Sequence, residues 1–334
     1  MSDIKILTIF GATGRKETLL LLTARQDTDV LCFLEQGGSV LKYVLADPIL
    51  SKTYRIRIIT RDLSNALLAP LSEKGVEIFQ ADANSLPSLK LALAGTHTVF
   101  TLTSSTFTPN AKTLEITQGK NIADAAISAG VSYFIFSTLP NITKISGGKY
   151  TQVHHFDAKA EIEEYIRTLP IKSAFYNPGS FMQNFLNALA PQKQPDGTYV
   201  IATVGSPETR LPLLDPVGDS GKFVGAILAE PEKYEGKTLC AAGSLYTFEE
   251  CARIIGQISG KKVVYLQIDE SVLRGMVPKE LADTYVEMAF YYQDFGYFGP
   301  GTEELVQWAS ENATRVLTGF EEWLKSNPLP SLEA

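Results

Sequence analysis

The stretch IKILTIFGATGR at residues 4–15 decides the fold. Its first part, Ile4–Phe10, is apolar and β-branched and stops at Gly11, which predicts a buried strand that ends in a tight turn. Glycines at such a turn let the backbone come close to a bound diphosphate, and a helix N-terminus that follows offers its free N–H groups to the anion. The stretch therefore predicts a nucleotide-binding loop; an ordinary turn is the alternative. The loop residues are Gly11, Ala12, Thr13, Gly14 and Arg15.

Composition excludes several classes of protein. The chain has 334 residues and a net charge of −7, so it lacks the overall basic field that grips nucleic-acid phosphates. Its three cysteines, Cys32, Cys240 and Cys251, form no CxxC pair, which argues against a zinc site or a disulfide framework and favours buried free thiols. Charges interrupt every apolar run before it is long enough to cross a bilayer. We therefore expect a cytoplasmic protein that contacts neither a membrane nor nucleic acid directly and holds no metal.

Short apolar runs alternate with helical patterns through the first half of the chain. This alternation predicts βαβ units and a parallel sheet, so the fold class is α/β, a Rossmann-type doubly wound parallel sheet with a smaller α+β C-terminal domain. We divide the chain into 1–180 and 181–334, with elements partly interleaved. The predicted strands are Ile4–Phe10, Arg55–Thr60, Val76–Gln80, Thr98–Thr103, Tyr133–Ser137 and Lys172–Asn177. The predicted helices are Ser85–Ala94, Leu114–Ala129, His155–Arg167, Lys222–Leu228, Phe248–Ser259, Glu280–Gln293, Glu303–Ala309 and Phe320–Lys325, with Asp219 or Ser220 capping the fourth.

The third glycine of the predicted loop is missing from its usual place. Glu17 stands three residues after Gly14, and the next glycines, Gly37 and Gly38, follow only after the segment 16–35. Without that segment the chain reads GATGRQGGSVLKYVLADP, a GxxGxxG loop that continues into a helix. So long an excursion at a tight turn is unusual. We therefore interpret residues 16–35 as an insertion foreign to the fold, such as a retained intron translated in frame; a genuine excursion is the alternative.

The residues after the second predicted strand indicate which nucleotide the loop takes. NAD-binding folds place an acidic residue at that point, whereas NADP-binding folds use Arg or Lys for the additional phosphate. Here Arg61 directly follows the strand RIRIIT, with Asp62 behind it, and Arg15 in the loop is a second candidate. The two arginines favour NADP(H) over NAD; solvated surface arginines are the alternative.

Taken together, these motifs resemble the NmrA-like family, atypical members of the short-chain dehydrogenase/reductase superfamily. The resemblance extends over nearly the whole chain and implies a Rossmann domain that binds NADP and a smaller domain that closes a cleft. The segments that carry it are GATGR at 11–15, TRD at 60–62, QADA at 80–83, FSTLP at 136–140, HFDAK at 155–159, NPGSFMQN at 177–184 and FGY at 295–297.

The resemblance also implies roles for individual residues. Arg61 is expected to hold the 2′-phosphate of the cofactor, and Asp82 and Ala83 are expected to approach its adenine. Thr103 lines the path to the nicotinamide and Lys159 lies near the ribose. Ser180, Phe181, Met182 and Gln183 form the wall over the nicotinamide, and Gly37 and Ser64 complete the candidate cofactor-binding set.

The catalytic residues are harder to assign. Typical short-chain dehydrogenases place a tyrosine four residues before a lysine, on one face of a helix, where the lysine lowers the tyrosine pKa. Here His155 occupies the position four before Lys159, and Tyr150 is out of that register. His155 is therefore the candidate proton donor, with a bystander at the helix start as the alternative. Lys159 is the candidate catalytic and cofactor-contacting lysine, with a solvated lysine as the alternative.

Aromatic residues cluster between positions 285 and 298. At helical spacing such a stripe is more often core, but it can also form the floor of an apolar pocket. The sequence predicts an NADP-dependent oxidoreductase that acts on a small, largely apolar substrate. One alternative is an NADP(H)-sensing regulator without turnover that binds a protein such as a transcription factor, for which a nuclear location is an alternative to the cytoplasm. Another is a non-functional product of a mis-spliced message.

Overall fold

The computed structural model describes residues 4–12, 36–64, 68–106, 108 and 110–332. Thr13, Gly14 and Arg15 of the predicted loop, and the segment 16–35, lie outside the described residues. The strands are β1 Lys5–Phe10, β2 Tyr54–Thr60, β3 Glu77–Gln80, β4 Thr98–Thr101, β5 Tyr133–Ser137, β6 Lys172–Pro178, β7 Ser180–Phe181, β8 Gln192–Lys193, β9 Tyr199–Thr203, β10 Arg210–Leu214, β11 Thr238–Ala241, β12 Ser244–Thr247 and β13 Val263–Gln267.

Helices fill most of the remaining described chain. Two 3₁₀ turns, Met182–Leu186 and Pro330–Leu332, accompany them. The α-helices are α1 Gln36–Ala46, α2 Leu50–Thr53, α3 Leu68–Glu73, α4 Leu86–Leu93, α5 Ala111–Ser128, α6 Ile142–Ile145, α7 His154–Arg167, α8 Pro216–Ala229, α9 Pro231–Tyr234, α10 Phe248–Ser259, α11 Glu270–Met276, α12 Lys279–Phe295, α13 Thr302–Glu311 and α14 Phe320–Ser326.

A seven-stranded parallel sheet forms the centre of the molecule. Its strand order is β11-β6-β5-β4-β1-β2-β3, so successive strands are added on one side of β1 up to β3 and on its other side from β4 onward, and the order reverses between β1 and β4. The order β3-β2-β1-β4-β5-β6 is that of the Rossmann fold, and ligands of such sheets bind at the carboxyl ends of the strands beside the reversal. The predicted doubly wound parallel sheet is confirmed.

Apolar layers cover both faces of this sheet. One face packs on α1 and α8 through a core that includes Leu7, Ile58 and Phe223. The other packs on α4, α5 and α7 through a core that includes Phe134 and Ile162. Strands buried on both faces are expected to read as near-continuous apolar runs, and the sequences of β1 and β5 do so.

The second half of the chain builds two small sheets, β12-β10-β7 and β13-β9-β8. A core that includes Phe185, Phe248 and Trp323 joins them to α10 and α14. The second half also supplies α8, which packs against α1, and β11, which pairs with β6 in the large sheet. The division near residue 180 therefore stays a prediction, and the interleaved elements are α8 and β11.

Most predicted elements agree with the structure within a few residues, and α10 agrees at both ends. Its cap explains this: Thr247 and Glu250 form a reciprocal capping box, and Gly260 ends the helix in the left-handed conformation. The predicted start of α8 is wrong. Asp215 caps that helix by accepting from the N–H of Val217, whereas Asp219 is a buried interior residue that binds Lys222.

Two further sequence expectations concern cysteines and membranes. Cys240 and Cys251 are buried free thiols, as predicted, and burial raises the pKa of both. Cys32 lies outside the described residues. Among the helices that the structure describes, none combines the length and the apolarity that a membrane span requires.

Candidate functional site

The candidate residues that can be placed lie after the carboxyl ends of consecutive strands. Parallel pairing aligns these ends: Phe10 is opposite Ile59, Thr60 opposite Gln80, Thr101 opposite Phe136 and Ser137 opposite Tyr176. In sheet order, Asp82 follows β3, Arg61 follows β2, Gly11 follows β1, Thr103 follows β4 and Asn177 is the next-to-last residue of β6. The sheet therefore gathers residues that are far apart in sequence along one edge.

Gly11 and Gly37 lie against each other at the middle of this edge. Gly11 has a φ of +72°, in the left-handed region that favours glycine. A Cβ on Gly37 would lie 2.7 Å from the carbonyl oxygen of Phe10 and 2.8 Å from the nitrogen of Ala12, so only a glycine allows α1 to begin this close to β1. Gly37 thus occupies the place of the third glycine of a dinucleotide-binding loop, although it is separated from Gly11 by 25 residues.

The first residues of α1 are also connected to the neighbouring strand. The side-chain oxygen of Gln36 accepts a hydrogen bond of 2.6 Å from the hydroxyl of Ser137, and both residues are buried. This contact fixes the N-terminus of α1 beside the carboxyl end of β5. The sequence analysis did not identify either residue as part of the site.

Arg61 and Ser64 lie in the exposed turn after β2. The backbone carbonyl of Arg61 accepts from the amide of Gln80 at 3.0 Å, which ties the turn to β3. Asp62 accepts from both the backbone N–H and the hydroxyl of Ser64, at 2.9 and 2.5 Å. The turn is thus ordered by its own hydrogen bonds and the Arg61 side chain is exposed to solvent.

Asp82 and Ala83 lie in the adjacent turn after β3. Asp82 accepts from the backbone and side-chain nitrogens of Asn84 at 2.8 and 2.9 Å. The carbonyl of Ala83 accepts from Asn121 of α5 at 2.9 Å. This turn forms one end of the edge, next to the Arg61 turn, because β3 pairs with β2.

Lys159 lies in a cluster of buried polar groups at the other half of the edge. Its ammonium donates to the carbonyl of Thr103 at 3.1 Å and to the hydroxyl of Ser105 at 3.0 Å, and it forms an ion pair with Glu115. The Thr103 hydroxyl donates to the same carboxylate at 2.7 Å. Lys159 is 9% exposed and Glu115 is 3% exposed. The alternative of a solvated lysine is therefore wrong, because the side chain points inward.

His155 lies one helical turn before Lys159 on α7. Burial lowers the pKa of its imidazole to about 4, with the positive charge of Lys159 as the next cause. At neutral pH the ring is therefore uncharged and offers one N–H donor and one nitrogen acceptor. A role for His155 as a cationic acid is not supported, but a neutral imidazole that hydrogen-bonds a substrate oxygen remains compatible with its position.

Other hydroxyl candidates are used for structure. Thr138 is fully buried, and its hydroxyl lies 3.4 Å from the carbonyls of Leu139 and Lys159. Tyr150 donates to the carboxylate of Asp294 at 2.6 Å, and burial raises the pKa of its phenol. Tyr150 is therefore hydrogen-bonded to α12. It does not replace the tyrosine that typical short-chain dehydrogenases have at the position of His155.

The end of β6 and the segment after it present polar atoms with no partner among the described residues. These are the side-chain oxygens of Asn177 and Gln183, both buried. The amide nitrogen of Gln183 donates to Asp215 at 3.0 Å, which fixes its orientation. Buried oxygens of this kind usually have a donor, so each is a candidate acceptor for a ligand or a water. Ser180 and Met182 are buried, and Phe181 pairs with Leu214.

The aromatic residues near the C-terminus pack chiefly on one another. Tyr292 stacks on Tyr297 with ring centroids 4.8 Å apart, and Phe156, next to His155, lies edge-on to Tyr297 at 5.7 Å. Tyr291, Tyr297 and Phe298 are each at most 7% exposed. The cluster is therefore mainly core, and it forms the apolar side of the region around His155 through Phe156.

The sequence analysis missed Glu115, the partner of Lys159. A signal was present: Glu115 and Gly119 extend the buried face of α5, on which Ile122 and Ala126 also lie, toward its N-terminus. A carboxylate on an otherwise apolar face of a helix is expected to have a buried cationic partner. In the described part of the chain, His, Cys, Asp and Glu side chains form no group of three or more that is arranged to hold a metal ion.

The strand order and the glycine contact define a Rossmann-type α/β protein with a candidate nucleotide site at the carboxyl edge of its sheet. The sequence model of the NmrA-like family matches residues 35–324, so the chain belongs to the NmrA-like family. The match begins at the last residue of the segment 16–35.

Relatives and solved structures agree with this assignment. The chain is 27% identical over 303 residues to an NmrA-like family domain-containing protein of Dictyostelium discoideum, covering 87% of this chain and 93% of the relative. It is also 27% identical over 323 residues to the NmrA-like family domain-containing oxidoreductase lnaB of Aspergillus flavus, covering 91% and 88%. Among solved structures, the negative transcriptional regulator NmrA in complex with NADP has a TM-score of 0.75 and 20% identity, covering 99% and 100%. The Citrobacter triphenylmethane reductase complexed with NADP(H) has a TM-score of 0.71 and 22% identity, covering 96% and 99%.

Proposed function

We propose that this chain is an NADP(H)-dependent oxidoreductase that acts on a small, largely apolar substrate. The observation that carries the proposal is the arrangement along one sheet edge. Arg61 lies at one half, the Gly11–Gly37 contact at the middle, and the Lys159 cluster beside His155 at the other half. This order matches the order of 2′-phosphate, diphosphate and nicotinamide in an extended dinucleotide.

The residues present fit such a cofactor. The Gly11–Gly37 contact places the N-terminus of α1 directly beside the end of β1, and the free N–H groups of that terminus would favour an anion such as a diphosphate. Arg61 would hold the 2′-phosphate, with Ser64 beside it, and Asp82 and Ala83 would border the adenine. Lys159 would contact the ribose next to the nicotinamide. The segment Ser180–Gln183, with the Gln183 oxygen that lacks a partner in the described part of the chain, would cover the ring. Relatives that are named oxidoreductases, and reductases solved with NADP(H), support this assignment.

When bound, the cofactor would supply or accept the hydride. The chain's own part is to place the substrate and to hold a proton donor near it. Lys159 brings a positive charge to the edge, and the neutral His155 offers an N–H or a nitrogen at the adjoining turn of α7. The aromatic residues next to Phe156 exclude water from one side. The catalytic tyrosine of typical short-chain dehydrogenases has no counterpart four residues before Lys159, so a substrate that needs little proton transfer is favoured.

The test is turnover with reduced cofactor. Purified protein is incubated with NADPH and a panel of quinones, aromatic aldehydes, enones and cationic dyes, and the loss of the reduced nicotinamide absorbance is followed. We expect turnover on at least one panel member and a preference for NADPH over NADH. Absence of both turnover and a NADPH-induced thermal shift would overturn the proposal, because a ligand that binds the folded state must stabilise it.

A second candidate function is an NADP(H)-sensing regulator without turnover. Two observations favour it: position 155 holds a histidine that is neutral at physiological pH, and the Tyr150 phenol is bonded to Asp294. The solved regulator NmrA, with which the chain shares its fold, adds support. Such a regulator is expected to bind a protein partner to different extents in NADPH and NADP⁺. Partner capture that is identical with both cofactor forms would argue against it.

A further inference from the structure

Glu115 and Lys159 form a buried ion pair that connects α5 to α7. The carboxylate oxygen Oε1 of Glu115 accepts both from the Lys159 ammonium and from the Thr103 hydroxyl. The ammonium donates in turn to the Thr103 carbonyl and the Ser105 hydroxyl, after the carboxyl end of β4. The pair thus fixes the direction in which Lys159 points, toward the segment between Thr103 and Ser105.

Close packing of the two helices makes this pair possible. One turn after Glu115, a Cβ on Gly119 would lie 2.5 Å from Cδ1 of Ile162, a residue of α7. Only a glycine lets the helices come this close. Because Ile162 lies three residues after Lys159, the same close approach brings Glu115 within hydrogen-bonding distance of the ammonium.

We propose that Glu115 is a positioning residue for Lys159: its carboxylate keeps the ammonium charged and directed at the segment Thr103–Ser105, where the cofactor's nicotinamide half would bind. This inference has a cofactor half, the effect of Glu115 on NADPH binding, which rests on the proposed function. It also has a lysine half, the charge and direction of the Lys159 ammonium, which concerns the ligand-free protein. Glu115 acts through Lys159 and contacts no substrate or cofactor itself.

The physical reason is the cost of a buried unpaired charge. An ammonium removed from water is stabilised only by an opposite charge and by acceptors, and removal of one member of a buried ion pair leaves the other uncompensated. Thr103 and Ser105 supply neutral acceptors from the β4 side, and Glu115 supplies the charge from α5. On α7 itself, His155 is close enough to interact with the charge of the Lys159 ammonium. Asp157 of α7 instead binds Thr143 and lies 4.0 Å from Lys112.

Amine labelling tests the lysine half without any cofactor. The ligand-free protein is treated with limiting acetic anhydride across pH about 6 to 11, and acetylation of Lys159 is read by peptide mass spectrometry. In Glu115→Gln we expect Lys159 to become reactive at a pH lower by at least about one unit, because a buried ammonium without its counter-charge loses its proton more readily. Glu115→Asp should restore part of the difference. Glu161→Gln is the matched control, because it removes a carboxylate of α7 whose partner is Lys112 at the surface. It should leave the pH dependence of Lys159 acetylation unchanged. An unchanged Lys159 profile in Glu115→Gln would overturn the proposal.

Titration with NADPH tests the cofactor half. Glu115→Gln is expected to weaken NADPH binding by about tenfold or more. In a Lys159→Met background the same change should alter affinity less than about twofold, because Glu115 then has no lysine to position. A tenfold loss in that background would show that Glu115 contacts the cofactor itself and would overturn the positioning role. If Glu115→Gln alone does not fold, the comparison between Lys159→Met and the double variant still tests the proposal. If the unmodified protein does not bind NADPH, the proposed function fails, while the labelling result still decides the lysine half.

Discussion

The α-carbon of Gly37 faces the backbone of Gly11 so closely that a Cβ on Gly37 would lie 2.7 Å from the Gly11 carbonyl carbon. In sequence the two glycines are 26 positions apart, yet in space they make the contact that a GxxGxxG loop makes within a few residues. The close approach of strand and helix is therefore a property of the folded edge and does not depend on a short connection.

The first prediction concerns this contact. Gly37→Ala places a methyl group against backbone atoms that cannot move aside, so we expect a loss of about 1–3 kcal/mol in the free energy of unfolding. Gly275→Ala is the control: it lies in α11 with no atom within 4 Å of the added Cβ and should be neutral or slightly stabilising. Urea denaturation of the two variants measures the difference. Equal stabilities would mean that Gly37 does not pack on β1.

The second prediction concerns the segment 16–35. Because Gly37 already lies beside Ala12, residues 13–15 are sufficient to join β1 to α1 once the segment is removed. Deletion of residues 16–35 is therefore expected to preserve the fold and to strengthen NADPH binding by about tenfold or more, since the diphosphate loop becomes continuous. Calorimetric titration of both proteins measures this. Weaker binding after the deletion would favour a genuine excursion over a foreign insertion.

The third prediction concerns the choice between NADP(H) and NAD(H). Arg61 is exposed after the carboxyl end of β2, and a guanidinium there would pair with a 2′-phosphate. Arg61→Ser is expected to weaken NADPH binding by about tenfold or more and to change NADH binding by less than about threefold. Arg55→Ser removes an equal charge at the amino end of the same strand and should affect neither. Loss of both cofactors in Arg61→Ser would point to a disordered turn instead of a lost phosphate contact.

Sequence reasoning predicted the large sheet well because its strands are buried on both faces. Ile4–Phe10 and Tyr133–Ser137 carry the apolar runs that such burial requires, and the glycine turn marks where the ligand edge begins. The start of α8 was missed because a glycine lies near it. Gly221 looks unfavourable for a helix, but it allows contact with Ser39 and Tyr43 of α1, and this packing outweighs its low helix propensity.

The site was predicted only in part because its charges pair across distant elements. Arg61 and Lys159 could be identified from motifs that each lie in one segment. The partner of Lys159, Glu115, is 44 residues away on another helix, and only the packing of α5 on α7 brings the two together. Gln36 and Ser137 meet across a still longer separation.

The fourth prediction follows from the lowered pKa of His155. Its value of about 4 in the folded protein lies below about 6.5 in the unfolded chain, so the unfolded state binds the proton first. The stabilising contribution of neutral His155 is complete above pH about 6.5, decreases as the pH falls toward about 4, and amounts to about 3 kcal/mol over that window. His155→Gln should flatten this part of the stability curve. His154→Gln, at the exposed neighbour whose charge is the smallest of the causes that act on the pKa of His155, should flatten the curve far less. A slope that persists in His155→Gln would assign it to other groups.

The fifth prediction concerns how α12 holds the segment that leads into α7. Glu287 accepts from the backbone N–H groups of Thr151 and Gln152 at 2.6 and 2.7 Å, and Thr284 donates to the carbonyl of Gln152 at 2.9 Å. These bonds fix the chain directly before His155, so they connect the second half of the chain to the site.

Glu287→Ala is expected to cost about 1–3 kcal/mol of stability. Hydrogen exchange at residues 151 and 152 should become faster in this variant, because the two amides lose a charged acceptor. Glu280→Ala, at the exposed first turn of the same helix, is the control. It should change the stability and the hydrogen exchange at residues 151 and 152 no more than the loss of one surface charge does. Unchanged exchange at both amides in Glu287→Ala would mean that α12 does not hold this segment in solution.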